Sequence, residues 1–141
     1  MYGPGDVRVE EREEPRIVEP TDAIIRVSDA CVCGSDLWPY RGVEEYRWPG
    51  PMGHEYAGIV DEVGARVQTI KPGQFVVGSF WAHRQHLRDL PAGYQIGCVN
   101  RVPTGMLGAH ADLLRVPVAD GTVVATPDIL RRPRPEPPVG L

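Results

Sequence analysis

The chain has 141 residues, 42% of them hydrophobic and 24% charged, with a formal net charge of -4. That length suits one globular domain and is short for a two-domain enzyme. The acidic balance argues against a polyanionic partner, so a small molecule is expected rather than nucleic acid or an anionic membrane surface.

No apolar run approaches the roughly 20 residues that cross a bilayer. The opening Met1-Tyr2-Gly3-Pro4-Gly5 lacks the basic and apolar regions of a secretion signal, so a cytoplasmic location is expected. The three cysteines, Cys31, Cys33 and Cys98, are an odd number. They suit metal binding or core packing better than a disulfide framework, and a buried apolar role is the plain alternative for Cys31.

The 16 glycines and 15 prolines punctuate short apolar runs along most of the chain, which favours β structure over long amphipathic helices. The first β-branched run is Ala23–Val27. Next comes Cys33-Gly34-Ser35-Asp36, with one helical turn expected at Ser35–Trp38. Trp38 and Tyr40 suit either an apolar pocket wall or the core. About 20 positions after the cysteine stands Gly53-His54-Glu55, so the two motifs together offer a thiolate, an imidazole and two carboxylates. Sulfur with imidazole nitrogen selects zinc, and a catalytic zinc takes three protein ligands and keeps one position open. Cys33 and His54 are the obvious pair, and the third ligand is the open question. The plainer alternative for Ser35 and Asp36 is a helix cap and a solvated acid.

Further strands are expected at Ala57–Val63, Gln74–Val77 and Thr122–Ala125, with a Pro-Gly reversal at Lys71-Pro72-Gly73-Gln74. The end, residues 129–141, is rich in Pro and Arg without apolar periodicity and is expected to be a disordered or extended tail.

Taken in order, Gly5–Glu10, Cys33–Asp36, Gly53–Glu55, Gly58–Gly64 and Lys71–Val76 resemble the N-terminal half of the zinc-dependent medium-chain alcohol dehydrogenases, over roughly residues 2–128. The resemblance implies a mainly β, GroES-like partial barrel with short helical turns and an incomplete first strand, residues 1–128 forming the domain. It implies Cys33 and His54 as zinc ligands, with Glu55 beside the metal as an outer-shell or transient ligand. It also implies Asp36 orienting His54 and Ser35 passing on the substrate proton. The reaction implied is hydride transfer from a small alcohol, or to an aldehyde, with zinc as Lewis acid and NAD(P) as the hydride carrier.

Departures from that family pattern shape the remaining expectations. No Gly-x-Gly-x-x-Gly occurs, so no residue is assigned to cofactor binding and the chain alone is expected to be inactive. The family's third ligand comes from a segment beyond the matching stretch. The family's structural-zinc lobe corresponds to residues 81–101, where Leu87 and Leu90 stand at cysteine positions and only Cys98 keeps a thiol; His83 and His86 are alternative ligands there. If both leucines are encoded by CTG before a codon beginning with C, reading one base later gives cysteine at each. A gene with small insertions or deletions near Pro91 and Asp128 is therefore expected. A lobe without its metal is expected to be mobile, and the lost first strand to leave an edge open to association. Two other readings stand beside the dehydrogenase half: a zinc-free GroES-like binding or assembly module, and a dithiol redox protein using Cys31 and Cys33.

Overall fold

The computed structural model describes residues 1–44, 48–79, 82–83, 101–102 and 108–127. Its strands are β1 (Ala23–Cys31), β2 (Glu55–Val63), β3 (Phe75–Gly78), β4 (Ala82–His83), β5 (Arg101–Val102), β6 (Leu113–Val116) and β7 (Val123–Ala125). Five form one open antiparallel sheet in the order β6-β1-β2-β3-β7, and β4 pairs with β5 apart from it. The one α-helix among the described residues is α1 (Leu37–Tyr40), preceded by a 3-10 turn at Gly34–Asp36. The chain is mainly β, as its composition implies.

The sheet forms where side chains alternate between core and solvent. In β2, Tyr56, Gly58 and Val60 point inward; β6 buries Leu114 and Val116 by the same period of two. Tyr56, Val60, Leu114 and Val116 meet Ile25, Val76 and Val123 in one cluster. Ile25, Val60, Val76 and Val116 are fully buried, each burial contributing about 1.5–3 kcal/mol.

Four strands match the expected runs with shifted ends: β1 continues four residues past Val27, β2 begins at Glu55, β3 starts one residue after Gln74 and β7 one residue after Thr122. The expected reversal is present, with the Gln74 N–H donating to the Lys71 carbonyl at 3.2 Å. Strand β6 lies outside the expected set. Its Leu113-Leu114-Arg115-Val116 has no glycine or proline before it to mark a start. Among the described residues no regular strand precedes β1; there is only an isolated bridge between Gly3 and Asp6. The leucines, His86 and Cys98 of the 81–101 lobe, and the tail, lie outside the described residues.

Where β1 is entered, Asp22 is buried and its Oδ2 accepts from the Glu19 N–H at 2.8 Å, the Val18 N–H at 3.2 Å and Arg115 Nε at 2.7 Å. This carboxylate ties the chain before β1 to β6.

At the other end, register brings two distant segments together. Cys31 pairs with Glu55 as the last residue of β1 against the first of β2. Because the strands run antiparallel, the chain leaving β1 and the chain arriving at β2 emerge side by side. Cys33 lies just beyond the first, and His54 just before the second.

Candidate metal centre

Sγ of Cys33, a ring nitrogen of His54 and a carboxylate oxygen of Glu55 all lie within 4.8 Å of one another. Tetrahedral zinc with bonds of about 2.0–2.3 Å sets its ligand atoms about 3.3–3.8 Å apart. The observed spread exceeds that spacing by at most about 1–1.5 Å. His54 is buried, Cys33 half-buried and Glu55 exposed, so the group opens to solvent on the Glu55 side.

Asp36 is fully buried behind this group. Its Oδ2 accepts the backbone N–H of Cys33 at 2.7 Å, and its Oδ1 stands 3.3 Å from Nδ1 of His54. Oδ1 has no hydrogen bond of good geometry among the described residues. A buried carboxylate oxygen so placed is an acceptor awaiting a well-aligned donor, and a metal held at Nε2 leaves Nδ1 as the N–H that supplies it. Ser35 Oγ is 3.3 Å from Nε2, on the side where the ion would sit. Sulfur, imidazole and carboxylate donors, backed by an acid that fixes the imidazole, fit zinc.

Local backbone explains how these side chains are presented. Cys33 is the extended residue at the head of the Gly34–Asp36 turn, and the Asp36 N–H returns to its carbonyl at 3.1 Å. Gly53 has φ +93°, a conformation that disfavours a side chain, and its carbonyl accepts from the N–H groups of Gly108 and Ala109 at 3.2 and 3.1 Å. After Glu55, Tyr56 drops into the core over Gly78, where no Cβ would fit. Burial pushes the Tyr56 phenol up, and its hydroxyl has no partner among the described residues.

The structure thus brings together Cys33, Ser35, Asp36, His54 and Glu55, separated by up to 22 positions in sequence. It corrects three local expectations. Cys31 is exposed, so the buried apolar role fails for it. Cys33 lies outside β1 at the head of a helical turn, so Cys31 and Cys33 do not form a Cys-x-Cys pair within one strand. The helical turn expected at Ser35–Trp38 divides into the 3-10 turn and α1, and Trp38 and Tyr40 are exposed rather than core. Sequence reasoning missed His110, whose Nε2 reaches the Cys31 carbonyl at 3.1 Å. A single histidine after Gly108-Ala109 has no ligand spacing to announce it.

Known proteins share this arrangement of chain. Residues 19–128 match the alcohol dehydrogenase GroES-like domain family. Over 131 residues the chain is 37% identical to zinc-type alcohol dehydrogenase B of Aspergillus flavus, covering 91% of this chain and 31% of that protein. It is also 37% identical over 131 residues to a medium chain reductase/dehydrogenase of Acremonium sp, covering 90% of this chain and 45% of that one. Alcohol dehydrogenase from Thermus sp. ATN1 superposes with a TM-score of 0.70 at 31% identity, covering 90% of this chain and 39% of that chain. The chain thus spans between 31% and 45% of the length of these three proteins. With a mainly β sheet, the motif order and a match across 19–128, this chain belongs to the alcohol dehydrogenase GroES-like domain family.

Proposed function

We propose that this chain is the zinc-holding half of a medium-chain alcohol dehydrogenase, with Cys33, His54 and Glu55 as metal ligands and a small alcohol or aldehyde as substrate. The observation that carries the reading is the convergence of those three donors within 4.8 Å, backed by the buried Asp36 at Nδ1 of His54. When bound, zinc supplies Lewis acidity toward the substrate oxygen. Asp36 accepts from Nδ1, which fixes the tautomer whose Nε2 carries the lone pair that would ligate. The Ser35 hydroxyl, beside Nε2, takes the proton that the substrate hydroxyl gives up and hands it towards solvent.

Hydride transfer also needs a nicotinamide, and the 141 residues contain no Gly-x-Gly-x-x-Gly to cradle one. The proposal therefore assigns NAD(P) binding to a separate dinucleotide-binding unit, and expects the 141-residue chain by itself to hold metal without oxidising alcohols.

The test is elemental analysis of the chain purified from zinc-supplemented medium, beside Cys33→Ser and His54→Asn. One zinc per chain, lost in either variant, is the expected result. A folded chain free of zinc would contradict the proposal and favour a metal-free GroES-like module.

A further inference from the structure

His110 touches both segments that bring the donors together, yet belongs to none of the donor set. Its Nε2 lies 3.1 Å from the carbonyl oxygen of Cys31, two residues before Cys33. A carbonyl only accepts, so Nε2 carries the hydrogen. The residue also lies close against Gly53, one residue before His54: a Cβ at Gly53 would stand 2.7 Å from Cδ2, 2.9 Å from the backbone N and 3.0 Å from Cγ of His110.

The backbone around it holds the same two partners. The His110 N–H donates to the Met52 carbonyl at 3.3 Å, next to the bonds that Gly108 and Ala109 make to Gly53. Two residues on, the Asp112 carbonyl accepts the Val27 N–H at 2.9 Å, and β6 then pairs along β1 from Arg26 to Ala23. Residues 108–112 are therefore fastened to the His54 loop on one side and to β1 on the other.

The geometry points to His110 as a positioning residue for the metal: its ring and Nε2–H hold the end of β1 against the loop before β2, at the spacing where Cys33 and His54 share one ion. Sheet pairing ends at Cys31 and Glu55, so Cys33 and His54 both lie beyond the ladder. Asp36 links the two through its carboxylate, and His110 adds a second link across the same gap through the backbone; ordering the segments before binding raises affinity. An imidazole meets both needs, with ring atoms close against a glycine that has no side chain and an N–H within reach of a carbonyl. A phenyl ring offers only the face. A glutamine offers an N–H at similar reach.

The inference rests on the zinc reading proposed above. Its test uses the 141-residue chain and cobalt(II) as the metal, since a thiolate ligand gives cobalt intense visible absorption. Wild type, His110→Gln and His110→Phe are titrated with cobalt, then zinc competes, while circular dichroism confirms that each is folded. His110→Phe is expected to bind about 10-fold more weakly or worse with altered visible bands, and His110→Gln to stay within about threefold of wild type. His110→Phe binding like wild type would overturn the positioning role, as would equal loss in both variants accompanied by loss of fold. A wild-type chain that binds neither metal would overturn the zinc reading itself, and this role with it.

Discussion

Asp36 and His54 face each other across 3.3 Å, Oδ1 to Nδ1, while the other oxygen of the same carboxylate holds the Cys33 N–H at 2.7 Å. One buried acid therefore links the two segments that carry the strongest zinc donors. Replacing it by Asp36→Asn puts an amide where an anion faced the imidazole. Zinc affinity is expected to fall about 10–100-fold, the usual effect of removing the partner of a ligating histidine. Competition with a chromogenic chelator measures this, and unchanged affinity would show that Asp36 serves only the backbone turn.

The clasp at Asp22 is a separate matter of stability. Its carboxylate receives two backbone N–H groups and Arg115 while almost wholly buried. Asp22→Ala leaves those donors unpaired and is expected to cost about 2–3 kcal/mol in denaturant unfolding. Zinc binding by the folded fraction should be untouched, because Asp22 lies at the opposite end of β1 from Cys33.

Tyr56 and Gly78 face each other in the β2–β3 ladder, and the ring fills the space a side chain at 78 would need. Gly78→Ala is expected to destabilise by about 1–3 kcal/mol through overpacking. Tyr56→Phe removes a buried hydroxyl that has no partner among the described residues, and should be neutral or stabilising by up to about 1 kcal/mol. Thermal unfolding of both variants checks the pair. A large loss in Tyr56→Phe would show that the hydroxyl is bonded after all.

Gly53 couples stability to the site. Its φ of +93° and the closeness of the His110 ring both oppose a methyl group. Gly53→Ala should cost about 1–3 kcal/mol in unfolding and weaken zinc binding in the same variant. Retention of both properties would mean that the loop before His54 relaxes freely.

The β character of the chain is legible because Ala23–Val27, Ala57–Val63 and Thr122–Ala125 join β-branched residues to flanking turn formers. Strand β6 is not, since Leu113-Leu114 favours helix as readily as strand and only its pairing with β1 decides. At the site, residue types pointed to Cys33 and His54, but their meeting depends on the Cys31–Glu55 register, a long-range pairing that spacing alone does not encode. The same holds for His110. It acts through a backbone carbonyl and a missing side chain, and neither leaves a mark in a one-dimensional pattern.

The central claim is that one zinc ion joins Cys33 to His54. X-ray absorption at the zinc edge of the loaded 141-residue chain tests it most directly. One sulfur neighbour is expected at about 2.3 Å together with nitrogen or oxygen neighbours at about 2.0–2.2 Å, the sulfur vanishing in Cys33→Ser. A shell made only of nitrogen and oxygen in the wild-type chain would contradict it.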